Sequence, residues 1–144
     1  MNLSTHFTLE EFILSQTAVR HEIDNEPPLL ALSNLKKLAE TLEEVRNLFN
    51  APILISSGYR CPILNNLVGG SRNSAHQFGR ATDFTIPAFG PPLAVARKIS
   101  ESEIKFDQLI NEFGRWVHLG IAENPRRELL TINKWGTILG LKEI

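Results

Sequence analysis

Residues 74–83, SAHQFGRATD, constrain this chain more than any other stretch. They set a histidine, His76, and a carboxylate, Asp83, seven positions apart, with Gly79 between them. A His and an Asp in one loop are ordinarily surface residues, or a turn and its cap. Geometry opens a second reading. Two ligands of one zinc ion lie about 2 Å from the metal, so their donor atoms sit ~3–4 Å apart. A continuous helix would separate the two Cα atoms by ~10 Å, which suits a single ion poorly. Gly79 argues against such a helix, and residues 81–86 (ATDFTI) read as a short strand of β-branched and aromatic residues. A loop carrying His76 that folds back over a strand carrying Asp83 can bring both side chains to one ion. A third donor must then come from elsewhere.

The chain has four histidines: His6, His21, His76 and His118. His118 lies in the run Trp116-Val117-His118-Leu119-Gly120, which is of strand type. A His in such a run is ordinarily a satisfied core residue. Here it is the best-placed residue to complete a His, Asp, His set. Three protein ligands leave a fourth position open, the pattern of a catalytic rather than a structural zinc. His6 and His21 have no ligand-like neighbours in sequence and read as surface residues.

The pattern Ser-x-His-x-x-Gly-x-Ala-x-Asp, followed by a Trp-Val-His strand, resembles the zinc D-Ala-D-Ala carboxypeptidase family of peptidoglycan peptidases. That family, peptidase family M15, also includes phage endolysin L-alanyl-D-glutamate peptidases. Ser74, His76, Gly79, Ala81, Asp83 and His118 carry the resemblance. Ser56-Ser57-Gly58-Tyr59-Arg60, Leu64-Asn65 and Val68-Gly69-Gly70 extend it upstream. It covers roughly the whole chain and is strongest between residues 52 and 120. It implies Zn2+ as cofactor, held by His76, Asp83 and His118. It implies a peptidoglycan stem peptide as substrate, cut at a bond involving D-alanine or at L-Ala-D-Glu. Arg60, which alone reads as a surface salt-bridge residue, would by resemblance point into the cleft and bind the substrate carbonyl or carboxylate. Ser74 is close enough in sequence to His76 to hydrogen-bond substrate; its other reading is a loop residue or cap.

One position departs from the family pattern. Many members carry the catalytic Asp or Glu three residues before the final His, where this chain has Arg115. The carboxylates near His118 in sequence are Asp107, Glu112 and Glu123. Glu123 reads as part of a charged loop, and Asp107 as the far end of the preceding strand. A hairpin closed at Phe113-Gly114-Arg115 brings Glu112 beside the strand of His118, within ~7–8 Å even on the diagonal. Glu112 is therefore the expected general base; its other reading is a solvated residue at a hairpin end. Without a carboxylate beside the metal ligands, the chain reads instead as a non-catalytic, zinc-stabilised wall-binding or phage structural module.

Composition bounds these readings. A chain of 144 residues supports one domain, expected over residues 1–144. A net charge of −1 gives no electrostatic case for nucleic acid or an anionic membrane. One cysteine, Cys61, excludes an internal disulfide and a Cys-based zinc site, and reads as a small buried apolar residue. The start, MNLSTHFTLEEF, lacks the basic and apolar regions of a signal peptide, and no apolar run reaches the ~20 residues of a membrane span. The expectation is a monomer made without a Sec signal that acts on cell wall after release, with a phage or prophage origin open.

Local signals give the elements. Phe7 and Phe12 flank Thr8 and Glu11 as a staple around a capping box. Apolar residues at spacings of three and four from Leu29 to Phe49 predict a long amphipathic helix, with Lys36, Lys37, Glu43, Glu44 and Arg46 on its wet side. Shorter helices are expected at 62–68 and 91–99. Strands are expected at 53–57, 81–86, 106–111 and 116–121, with a weaker pair at 129–132 and 135–139. The fold class is α+β: a small, mainly antiparallel sheet with helices on one face and a zinc cleft on the other.

Overall fold

The computed structural model describes residues 1–144. Helix α1 spans Leu9–Ile13, α2 Gln16–Arg20, α3 Leu29–Phe49, α4 Pro62–Leu67 and α5 Pro92–Ser100. The strands are β1 (Leu54–Ser57), β2 (Ala81–Thr85), β3 (Gln108–Glu112), β4 (Trp116–Gly120), β5 (Glu128–Asn133) and β6 (Gly136–Leu139). They form one sheet in the order β1-β2-β4-β3-β5-β6. Every neighbouring pair is antiparallel except β3 and β5. The chain is α+β, and its sheet is mainly antiparallel, as the sequence implies. No helix is long and apolar enough to cross a membrane.

Side chains alternate between the faces of a strand, so register decides what each face carries. Asp83 of β2 stands opposite His118 of β4, which stands opposite Ile110 of β3. Phe84, Val117, Leu119 and Leu109 point the other way. On that second face they join one hydrophobic core with Phe12 of α1, Leu35, Leu38, Leu42 and Val45 of α3, and Val95 and Ile99 of α5. Each such side chain, fully withdrawn from water, contributes about 1.5–3 kcal/mol. The helices therefore cover one face and leave Asp83 and His118 on the other.

The first helix starts as its sequence demands. Thr8 accepts from the Glu11 backbone N–H while Glu11 reaches back to Thr8, and Phe7 packs on Phe12 with ring centroids 6.1 Å apart. The Phe12 carbonyl then accepts the Tyr59 N–H at 2.7 Å. This approach leaves no space at Gly58, where a Cβ would stand 2.5 Å from the Phe12 oxygen.

Several local expectations need correction. Residues 75–78 form one 3-10 turn, with Ser74 as its cap and Gly79 (φ 71) in the left-handed region ending it. The helix is thus not absent from this stretch but limited to a single turn. Helix α2, capped by Ser15, is too short and too exposed to leave a periodic signal. Glu43 is not simply solvated: it accepts from the Ser4 hydroxyl and the His6 backbone N–H and pairs with His6 Nδ1 at 2.6 Å. His6 therefore ties the N-terminal segment to α3. Cys61 is half-buried rather than buried. The parallel pairing of β3 with β5 has no local signature, because β4 and the loop after it lie between them in sequence. Arg127 secures that crossover: its guanidinium lies over the Phe106 ring at 4.4 Å and donates to the carbonyls of Ser100, Ser102 and Ile104.

Gly58→Ala is expected to cost about 1–3 kcal/mol of unfolding free energy, the range for forcing a methyl into a filled space. Urea unfolding of the two proteins checks it, and equal midpoints would show that the α1–Tyr59 contact yields without strain.

Candidate metal centre

The register of β2 and β4 sets the first two donors. Asp83 and His118 are direct cross-strand partners, and Asp83 Oδ1 lies 2.9 Å from His118 Nδ1. The third arrives by the turn. The 3-10 turn and Gly79 swing the chain back onto β2, and His76 Nε2 comes within 3.3 Å of the same Asp83 oxygen. Gly79 packs where a Cβ would meet the Ala31 carbonyl at 2.4 Å, so no other residue lets the turn sit this close to α3. All three side chains are buried, and their donor atoms lie within 4.8 Å of one another. The two imidazoles meet edge to face, with centroids 5.1 Å apart.

The donor set fits a cation. His76 Nδ1 is 2.7 Å from the Gly58 carbonyl, which can only accept, so Nδ1 carries the proton. Burial holds His76 below the ordinary histidine pKa against the opposing pull of Asp83, which favours the neutral ring. Its Nε2 lone pair then faces the Asp83 carboxylate, acceptor against acceptor. A metal ion held by His76, Asp83 and His118 would relieve that conflict. The Gly58 carbonyl also supplies the outer partner that metal-bound histidines use to fix ring orientation and tautomer. Burial would raise the Asp83 pKa, but hydrogen bonding, led by that from His118, outweighs it and holds the carboxyl far below the usual range. Neutral imidazole and ionised carboxylate are the ligating forms.

Glu112 lies beside this group. It ends β3 opposite Trp116 and is the diagonal neighbour of His118, with Oε1 3.6 Å from His118 Nδ1. The turn between them is tight. Arg115 N–H donates to the Glu112 carbonyl at 2.9 Å, and both Phe113 (φ 56) and Gly114 (φ 67) are left-handed. Burial raises the Glu112 pKa, and the Asp83 charge adds to it. His118, the Trp116 indole and Arg60 pull the other way, although the indole N–H does not reach hydrogen-bond geometry. Asp107 is engaged elsewhere, in a bidentate pair with Arg126, and Glu123 lies in the exposed loop after β4. Arg115 is exposed at the turn.

Arg60 follows β1. Its Nη2 donates to the Ser74 hydroxyl at 3.3 Å, while its buried Nε has no partner. Burial lowers its pKa, and the Asp83 and Glu112 carboxylates counter that. Ser74 also accepts from the His76 N–H, so its hydroxyl joins Arg60 to the metal-ligand turn. Sequence reasoning missed three asparagines that hold this arrangement. Buried Asn25 donates to the carbonyls of Ile13 and Tyr59 and accepts from the Cys61 N–H, gripping the backbone on both sides of Arg60. Asn34 of α3 donates to the Phe78 carbonyl at the end of the 3-10 turn. Asn65 donates to the Ser71 carbonyl and orders the loop before Ser74. Only Asn65 stood in the motif; Asn25 lies in a polar loop with no pattern to mark it. A cavity of about 630 Å³ between α3 and the loop after β4 contains none of the residues of this centre.

The chain matches the family described as Peptidase M15 over residues 5–120, which includes every residue of the centre. No curated protein matches it.

Two outcomes follow from the donor geometry. Dialysis against zinc and elemental analysis are expected to give one ion per chain, and His118→Ala at most traces; a fully loaded His118→Ala protein would remove it from the ligand set. The metal-free protein is expected to lose stability on acidification in two stages. Below about pH 6.5 the unfolded chain takes up a proton that buried His76 resists. Below about pH 4 it takes up another at Asp83, whose folded pKa is depressed, so that contribution is lost as pH falls further. Chemical denaturation across pH should show the lower stage missing in Asp83→Asn.

Proposed function

This chain belongs to the peptidase M15 family of zinc peptidases, and we propose that it hydrolyses an amide bond in peptidoglycan stem peptides. The bond is of the D-Ala-D-Ala carboxypeptidase or L-Ala-D-Glu endopeptidase type. The observation that carries hydrolysis over mere binding is Glu112: a partly buried carboxylate at 3.6 Å from His118 Nδ1, on the same sheet face as the His76, Asp83, His118 group. A non-catalytic wall-binding module would need no such carboxylate.

Zinc held by His76, Asp83 and His118 would supply Lewis-acid polarisation of the scissile carbonyl and would acidify water at the site. Glu112 accepts a proton from the attacking water at its carboxylate and returns it to the leaving nitrogen. Its raised pKa suits the second half of that task, because a carboxyl that holds its proton more firmly is available as an acid nearer neutral pH. Arg60 binds the substrate carbonyl or carboxylate. Its planar fork is held at one end by Ser74 and carries an uncommitted N–H at Nε. Ser74 thereby acts on substrate through Arg60 as much as directly. In this reading the active protein works as a monomer at the cell wall after release from the cell that made it.

Glu112→Gln is expected to keep zinc and stem-peptide binding while losing nearly all turnover. Arg60→Ala is expected to keep zinc and lose ~10²-fold in kcat/KM, the scale of one oxyanion donor. Mass spectrometry of purified peptidoglycan and synthetic stem peptides, with and without chelator, reads both. Undiminished hydrolysis by Glu112→Gln would remove it from the mechanism. A wild-type protein that binds zinc and wall fragments but never cuts them would favour the binding module.

A further inference from the structure

The end of the sheet next to Glu112 carries a feature that hydrolysis alone does not use. Glu112 pairs with Trp116 on one side and Ile132 on the other, so the β3–β4 turn and the β5–β6 turn project from the same edge. Between them is a cleft of about 560 Å³ lined by Phe113, Arg115, Trp116, Lys134 and Trp135, among others. Trp116 and His118 are two residues apart on β4, on one face and about 6.5–7 Å apart along the strand. The cleft therefore adjoins the metal centre through Trp116, the cross-strand partner of Glu112.

Its walls are unusual for solvent-facing turns. Trp135 is 84% exposed and Phe113 42% exposed. Phe113 packs edge to face on Trp116, with centroids 5.7 Å apart. Trp135 sits in a turn fixed by its own N–H to Asn133 Oδ1 at 2.8 Å, with Lys134 Nζ 4.8 Å from its ring centroid. Phe113 also occupies a left-handed conformation (φ 56) that Gly or Asn adopts at less steric cost. The turn thus holds an aromatic ring outward where backbone preference favours a small residue. The charged side chains lining the cleft, Arg115 and Lys134, are both cations, and Ile144 lines it as well.

We propose that this cleft is a subsite for the glycan-linked part of the substrate, an inference that rests on the wall-peptidase reading above. A pyranose ring of an N-acylated amino sugar stacks on Trp135, with Phe113 as the second wall. Arg115 and Lys134 pair with a carboxylate of the attached peptide. The chemistry of the lining selects this occupant. A pyranose offers apolar C–H faces to aromatic rings, and an anionic peptide answers two cations that make no salt bridge to a side chain of this protein. A purely apolar side chain would leave both cations unanswered. Nucleic acid, the other ligand that combines rings and negative charge, meets a chain of net charge −1. The inference also gives Arg115 a role at the position where many family members carry the base.

The test compares three soluble ligands by calorimetry on the Glu112→Gln protein, with hydrolysis by wild type followed in parallel. The ligands are a disaccharide-linked stem peptide, the same peptide without sugar, and a neutral N-acetylglucosamine oligomer. The glycopeptide is expected to bind about tenfold tighter than the free peptide, the scale of one good aromatic stack. Trp135→Ala should bring that ratio close to one. Lys134→Ala and Arg115→Ala should weaken the glycopeptide but not the neutral oligomer. Equal affinities for glycopeptide and peptide, or a Trp135→Ala protein that keeps the ratio, overturns the subsite. Cleavage that proceeds normally beside such a result leaves the peptidase reading standing. A preserved ratio advantage in a wild-type protein that never cleaves would overturn the peptidase reading instead.

Discussion

A carboxylate with almost no exposed surface governs this structure. Burying an ion costs several kcal/mol unless partners compensate it, and Asp83 is 7% exposed. Two histidines reach it by different routes: His118, which hydrogen-bonds it, through the β2–β4 register, and His76 through the 3-10 turn ended by Gly79. Neither route works without the other elements. The register requires the core face of β2 and β4 to be packed under α3 and α5. The turn requires a glycine that α3 can approach. The fold is thus arranged so that one buried charge has its partners, and those partners are also a donor set for a cation.

The polar scaffold behind the centre runs as a chain of backbone contacts. The Phe12 carbonyl holds Tyr59, the Gly58 carbonyl holds His76 Nδ1, and Asn25 grips Tyr59 and Cys61 on either side of Arg60. These bonds fix the imidazole tautomer with a backbone carbonyl, and the start of the arginine side chain with a buried asparagine. Small α1, too short to be stable alone, belongs to the centre for this reason. Its capping box and Phe7–Phe12 staple place one carbonyl.

Much of this was legible in residue pattern. The His76–Asp83 spacing, the strand character of 116–120 and the Gly114 turn were enough to bring His76, Asp83, His118 and Glu112 toward one place, because each rests on short-range rules of turn and strand. The Thr8 cap and the long α3 periodicity were legible for the same reason. What escaped was non-local or conditional. Asn25 makes three hydrogen bonds to segments up to 36 residues away. The hydrogen bond between His6 and Glu43 spans 37 positions. The parallel β3–β5 pairing joins strands separated by a third one.

The sequence by itself determined which residues are able to ligate, which segments are strands and where the chain must turn. Those properties follow from side-chain chemistry and from the backbone freedom of single residues such as Gly79 and Gly114. Only the tertiary structure decided that Ser74 holds Arg60, that Gly58 orients His76, and that Asp107 is engaged away from the ligand group. Those outcomes depend on strand order and register, which are set by the whole core at once. Asp107 is drawn off by Arg126 across the crossover, a pairing that exists only once β5 lies alongside β3. The aromatic cleft has the same origin: Phe113 and Trp135 are 22 positions apart, and the sheet makes them neighbours by placing both turns at one edge.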